Sequence, residues 1–252
     1  MTAPEPRTGG EELLLARISA AAGRARIGKR RATYAATART VPARTAPSRG
    51  AGGALAYPWH LCRIWYDRCA RYVRWPAATA GTVARLDLYE RGMTVTVHDR
   101  IHVVRYESAA VFQEVTRHRD DPARFTTAYT LTALGGECIV LRSTSERGGG
   151  TAAWGPELQR AVAQARLPRA LAALRDGERL AFGDFRLSAE EIVCGKAAAR
   201  WELVERTAIR NGRVEVHVGG AGPLLACDVS GVPNLFLFWT LVERLRPGDG
   251  DA

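Results

Sequence analysis

Residues 209–218 read Ile-Arg-Asn-Gly-Arg-Val-Glu-Val-His-Val. Asn211-Gly212 supplies the positive φ values that a two-residue hairpin turn needs, and Val214, Val216 and Val218 alternate with Glu215 and His217. That is a half-buried antiparallel hairpin. Working backward, Leu180–Leu187, Ile192–Cys194, Ala197–Trp201 and Leu203–Ile209 read as strands parted by Ser188–Glu191 and Gly195-Lys196. Working forward, Leu224–Cys227 is a last strand and Pro233 starts a closing helix, Leu235–Leu245. The helix is apolar round most of its circumference, too short to cross a bilayer and too apolar for a free surface, so it must fill a cavity.

The preceding hundred or so residues repeat this order. Thr94–His98 and Ile101–Tyr106 flank a turn at Asp99-Arg100, and Val111–Val115 is a further strand. Arg117–Arg124 forms a polar loop, and Phe125–Leu134 and Glu137–Leu141 flank Gly135-Gly136. Trp154 opens a helix carrying Leu158 and Val162, which Pro168 is expected to interrupt before a second short helix through Leu174. Arg105-Tyr106-Glu107 matches Arg200-Trp201-Glu202, and Pro156-x-Leu158 matches Pro233-x-Leu235. Short antiparallel strands followed by one helix with an apolar face imply a small barrel whose mouth the helix fills. The expected fold class is therefore α+β: two tandem small β-barrels, residues 85–176 and 177–247, each closed by a C-terminal helix, behind a basic N-terminal extension.

The extension, residues 1–84, holds 14 Lys and Arg against four acids and so carries the whole formal excess of +10; the remaining residues balance, 22 against 22. Glu11–Ala22 reads as a short helix, with acids in its first turn and Gly23 at its end. Residues 24–53 hold almost no large apolar side chain and read as a disordered or loosely held linker. Residues 58–75 (PWHLCRIWYDRCARYVRW) place Leu61, Trp65, Cys69, Tyr72 and Trp75 on one helical stripe and Arg63, Asp67, Arg71 and Arg74 on another. Such a helix suits a membrane surface, or an amphipathic helix docked on the folded body. Lys29, Arg30, Arg31, Trp59, Arg63, Trp65, Arg71, Arg74 and Trp75 are the candidate contacts for a membrane or other polyanion. Arg outnumbers Lys 34 to 2, which also fits an arginine-rich surface with no partner at all.

Reactive constellations are sparse. Gly23–Lys29 has the spacing of a phosphate loop, but Arg30 stands where the magnesium-binding hydroxyl belongs. His98 and His102 would face one way on a continuous strand, but the Asp99-Arg100 turn breaks that register and no third ligand follows. Cys138, Cys194 and Cys227 fall in strand patterns as small core residues, and Cys62 and Cys69 are a heptad apart. Asp120-Asp121 and Glu190-Glu191 lie in turns without an acid–base partner. No catalytic residue, metal ligand or cofactor is assigned, and a non-enzymatic role is expected.

The strand–hairpin repeats, the Leu88-Tyr-Glu-Arg-Gly92 segment and the ending Val232-Pro-Asn-Leu-Phe236 resemble bacterial pleckstrin-homology-like (PH/GRAM-type) domains, in particular two-unit proteins of uncharacterised function from high-GC bacteria. The resemblance covers residues 85–246. It implies seven-stranded barrels with a capping helix that contact lipid, peptide or protein, and it carries over no functional residue, because the loops Asp99-Arg100 and Ser188–Glu191 are neutral or acidic. The expectation is a cytoplasmic binding or scaffold module whose partner is an anionic membrane surface or a protein. Nucleic-acid binding by the basic arm, or homo-oligomerisation through the apolar last helix, are the alternatives.

Overall fold

A computed structural model describes residues 9–41, 81–117, 124–134, 137–146, 154–219 and 225–247. The chain is a mixed α+β fold of antiparallel sheets. Helix α1 (Gly9–Ala25) leads into β1 (Arg30–Val41), followed by β2 (Thr82–Tyr89), β3 (Gly92–Val97), β4 (Arg100–Arg105), β5 (Phe112–Arg117), β6 (Arg124–Thr132) and β7 (Cys138–Glu146). These seven strands form one sheet in the order β4-β3-β2-β1-β7-β6-β5. It curls like half a barrel, and the Leu134 amide donates to the Val103 carbonyl (2.8 Å), reaching from the β6–β7 loop to the far edge strand β4.

The concave face carries Leu86, Leu88, Met93, Val95, Val104, Leu131, Ile139 and Leu141. Helix α2 (Trp154–Arg175) drives Trp154, Leu158 and Val162 into this core. Trp154 meets Tyr129 edge to face, with ring centroids 5.1 Å apart.

Strands β8 (Leu180–Phe182), β9 (Phe185–Leu187), β10 (Glu191–Cys194) and β11 (Ala197–Arg200) make a four-stranded sheet. After a single helical turn at Trp201–Leu203, β12 (Val204–Arg210), β13 (Arg213–Val218) and β14 (Leu225–Asp228) make a three-stranded one. Asn211 and Gly212 take φ of 50° and 75°, as a two-residue hairpin of this hand requires. Helix α3 (Leu235–Leu245) fills the core of these sheets with Leu235, Leu237, Phe238, Leu241 and Val242. Phe238 lies against Phe185 and Phe182, at centroid distances of 4.9 and 5.5 Å. Gly183 has φ +68°, and a Cβ there would meet the Gly231 carbonyl at 2.0 Å, so only glycine lets the β8–β9 turn approach that backbone.

Two sequence expectations are corrected. Residues 30–41 are not a linker but β1, between β2 and β7 in the middle of the sheet. The N-terminal segment is thus built into the fold: Ile18, Ala22, Ala25 and Ile27 are buried, with Ala22, Ala25 and Ile27 clustered against Tyr89 and Val103. Pro168 does not divide α2, which runs unbroken for 22 residues. The carbonyl that loses its donor belongs to Gln164, an exposed residue, where water can replace the bond. The continuous helix serves both cores, with Trp154, Leu158 and Val162 in the first and Ala163, Leu167, Leu171 and Leu174 in the second. The predicted helix 58–75 lies outside the described residues, as does Gly135-Gly136.

The two cores are also joined by Asn234. Its backbone amide donates to the Val111 carbonyl (2.8 Å), and its Oδ1 accepts from the Val111 amide (3.0 Å). Asn234 is 5% exposed and left-handed (φ 51°, ψ 52°), and its carbonyl accepts from Phe238 in the first turn of α3.

Candidate functional site

Strand register decides which loops share an end of the seven-stranded sheet. Val41 pairs with Cys138, Ala38 with Thr82, and Ala84 with Val97. The end of β1, the start of β2, the β3–β4 turn and the β6–β7 loop are therefore neighbours. At this end lies a cleft of about 540 Å³, lined by Arg17, Ala20, Ala21 and Arg24 of α1, by Asp99–His102 of the β3–β4 hairpin and by Glu137.

Each wall has a local cause. The turn reverses at His98, which is exposed at φ 53°, so β3 ends at Val97 and β4 begins at Arg100. That break separates His98 from His102, as the sequence implies. Arg17 Nη2 donates to the Asp99 carbonyl (2.9 Å) and ties the helix to the hairpin. His102 pairs with Val95 and so points to the concave side of the sheet, where it is 5% exposed. Its Nδ1 lies 2.5 Å from Glu137 Oε2. A carboxylate oxygen accepts, so Nδ1 carries the proton. His102 Nε2 has no hydrogen-bond partner among the described residues. The cleft therefore offers three exposed guanidiniums against two carboxylates, with one unsatisfied imidazole nitrogen at its buried side. Forked guanidinium donors suit carboxylate or phosphate oxygens.

Three of the sequence-predicted contacts are described, and they fall elsewhere. Lys29, Arg30 and Arg31 are exposed at the start of β1, roughly 30 Å along the strand from Val41. The Lys29 amide donates to Glu90 Oε2 (3.2 Å). Arg30 Nη1 is 3.6 Å from the carboxylate of Asp87, which is wholly buried. Asp87 also accepts two bonds from Arg85 (2.8 and 3.1 Å) and one from Thr33 (2.6 Å). Arg30 thus shares the Asp87 ion-pair group while its side chain stays 44% exposed. Arg31 lines a smaller crevice of about 130 Å³ with Tyr89, Tyr106, Glu157 and Arg160. There the Tyr34 hydroxyl donates to Glu157 (2.6 Å), and that bond, then burial, raises the tyrosine pKa. Trp59, Arg63, Trp65, Arg71, Arg74 and Trp75 lie outside the described residues.

Sequence reading missed Arg17, Arg24 and Arg100 as a group because only the packing of α1 on the β3–β4 hairpin brings them together. Nothing in their spacing announces it. Among the described residues no three His, Cys, Asp or Glu are grouped to hold a metal ion. Burial, with Asp184 adding to it, pushes the Cys227 thiol up to about 12, and burial raises Cys194 as well. Neither is a thiolate near neutrality. Among the described residues no helix is long and apolar enough to cross a membrane.

In comparison with known proteins, a model of a family of unknown function (DUF6585) matches residues 78–249. It takes in β2 to α3 but leaves out α1 and β1, the elements that complete the sheet and the cleft. No curated protein matches the chain.

Proposed function

The chain belongs to that family of unknown function, DUF6585, and from this premise we propose that it is a non-enzymatic binding module, built of two PH-like units, that attaches to an anionic membrane surface through the end of the first sheet. In this reading β1–β7 with α2 and β8–β14 with α3 are two copies of one plan: four strands, three strands and a filling helix. In support, the buried aromatics Tyr106 and Trp201 each directly follow the fourth strand of their set. The observation that carries the reading is the meeting, at one sheet end, of the cleft with both attachment points of residues 42–81. By sequence that segment holds Arg63, Arg71 and Arg74. A lipid headgroup phosphate or carboxylate is the chemistry that three guanidiniums would take. Each basic residue held near such a surface contributes about 1 kcal/mol, less at high salt.

The test must keep residues 1–84, because β1 is part of the sheet. Full-length protein is floated with phosphatidylcholine vesicles and with vesicles containing phosphatidylserine, alongside an Arg17→Glu/Arg24→Glu/Arg100→Glu variant and an Arg63→Glu/Arg71→Glu/Arg74→Glu variant. Recovery only with the anionic vesicles, falling in both variants and with salt, is expected. Equal recovery with both vesicle types, or tighter binding to duplex or single-stranded DNA in a gel shift, would overturn the proposal.

A further inference from the structure

A second group of polar side chains gathers at the opposite end of the first sheet from the cleft. Strand β1 slips register against β2 between Arg30, paired with Tyr89, and Ala32, paired with Leu88, so Arg31 is the extra residue of a bulge. A bulge re-aims the side chains beside it. Arg30 and Thr33 accordingly share Asp87, while Arg31 lines the crevice of about 130 Å³. On α2, Glu157, Arg160 and Gln164 stand at i, i+3 and i+7 on one face of the helix and line the same crevice. Neither the Arg31 nor the Arg160 guanidinium has a hydrogen-bond or ion-pair partner among the described residues. Tyr106 lines the crevice from the first core, where it lies with Leu88 and Val104. It is 1% exposed, and its hydroxyl, which the Tyr89 amide approaches, completes no hydrogen bond among the described residues. Burial and then the Glu157 charge raise its pKa, with the Arg31 charge opposing them, so the hydroxyl keeps a proton to donate near neutrality.

We propose that this crevice binds a phosphate group, with the Arg31 and Arg160 guanidiniums and the Tyr106 hydroxyl donating to its oxygens and the Glu157 carboxylate accepting from its P–OH. The size suits one tetrahedral oxyanion, since about 130 Å³ is the room of roughly four waters at ~30 Å³ each. The charge suits it as well: two guanidiniums against one carboxylate leave a positive excess, and guanidinium forks match phosphate oxygens. Glu157 decides among oxyanions. Its Oε2 accepts from the Tyr34 hydroxyl (2.6 Å), which fixes the carboxylate and leaves its second oxygen to accept from a ligand. Inorganic phosphate keeps at least one proton near neutrality and can donate it there. Sulfate has none to give and would set negative charge against negative charge. Free phosphate and the monoester headgroup of a lipid offer the same chemistry. The site shares no residue with the cleft and stands apart from the membrane reading.

Calorimetric titration of the full-length protein near neutral pH, with sodium phosphate and separately with sodium sulfate, tests the site. Saturable phosphate binding is expected, with sulfate weaker by at least about tenfold. Arg31→Ala/Arg160→Ala should weaken phosphate binding by at least about tenfold, and Tyr106→Phe by about tenfold. Both arginines are exposed, so their double variant should keep the wild-type circular dichroism even if Tyr106→Phe disturbs the core. Glu157→Gln should bring the sulfate and phosphate affinities together. Arg17→Glu/Arg24→Glu/Arg100→Glu should bind phosphate as the wild type does; a loss there would put the anion in the cleft and overturn the proposal. So would absence of phosphate binding, equal binding of sulfate by the wild type, or unchanged affinity in the Arg31/Arg160 variant. Flotation with phosphatidic acid vesicles at about pH 6, where a phosphate monoester keeps part of its proton, separates the two sources. Recovery that falls in the Arg31/Arg160 variant assigns the site to a lipid headgroup. Recovery that does not fall, with the phosphate titration as expected, assigns it to free phosphate.

Discussion

Replacing Asn234 removes one side-chain oxygen but should weaken both halves of the molecule. In the folded state Oδ1 satisfies the Val111 amide at 3.0 Å, and Val111 is fully buried. In Asn234→Ala that amide loses its partner away from water, at a cost of about 1–3 kcal/mol. The backbone adds a second term. Asn tolerates φ 51°, ψ 52°, whereas alanine there costs roughly 1–2 kcal/mol. Together the substitution should destabilise by about 2–5 kcal/mol. Asn234→Gly loses the same bond but not the left-handed strain, so it should be milder, by roughly 0.5–1 kcal/mol once its greater unfolded-state freedom is counted. Urea unfolding followed by circular dichroism measures both, with the midpoint falling and the slope unchanged. A loss under about 0.5 kcal/mol for alanine would refute the clamp, since that is the size of an ordinary surface substitution. Alanine and glycine variants of equal stability would refute the backbone half of the reasoning.

Three further outcomes follow from the same structure. Arg85→Met should destabilise by up to about 3–5 kcal/mol, and by more than Asp87→Asn, because it leaves the wholly buried Asp87 carboxylate short of its main partner, whereas Arg85, partly exposed, can turn to water; urea midpoints in the reverse order would contradict this. Burial holds the Tyr129 hydroxyl up to about 12 and raises Tyr89 and Tyr106, so between their ordinary pKa of 10 and about 12 the unfolded chain binds fewer protons than the folded one. Stability should then be full below about pH 10 and fall as pH rises toward 12, less steeply in Tyr129→Phe, as read from urea midpoints across that range. A chain starting at residue 78, where the family match begins, lacks β1 and leaves β2 and β7 with unpaired edges; gel filtration should show aggregation, and a well-behaved monomer would show that β1 is dispensable.

Much of the sheet was legible in the sequence, and the exceptions share a cause. The Asn211-Gly212 hairpin, the β3–β4 turn and the apolar closing helix rest on local chemistry, and local chemistry is what a sequence displays. Strand β1 does not. Its inward side chains are Tyr34, Ala36 and Ala38, too small on the whole to signal a core. It is fixed instead by two backbone ladders, to β2 and to β7, the latter about a hundred residues away. Low hydrophobicity therefore read as a linker where it marks a central strand with close-packed neighbours. The ion-pair partner of Arg30 was hidden for a related reason. Thr33 stands opposite Asp87 across the ladder, and that register, invisible in one dimension, gathers Arg30 and Arg85 on the carboxylate. The cleft likewise depends on α1 lying across a hairpin some eighty residues later.

The physical coupling of the two cores bears on how the molecule can bind. Helix α2 contributes its first turns to one core and its last turns to the other. Arg166, midway along it, donates to the Ala109 carbonyl at 2.7 Å, two residues before the Val111 backbone that Asn234 grips. The connection between β4 and β5 is thus held from two directions, by the shared helix and by the first residue before α3. Relative motion of the cores would have to break buried hydrogen bonds and bend a helix packed on both sides, so they move as one body. The cleft, in contrast, is walled on one side by α1, which rests on the edge strand β4 and its neighbour β3 through a small cluster around Ala22, Ala25 and Ile27. Adjustment to a ligand therefore falls to α1 and the β3–β4 hairpin, while the rest of the molecule acts as a stiff mount. That division suits the proposed surface attachment, in which the second half would keep a fixed orientation to whatever the first half holds.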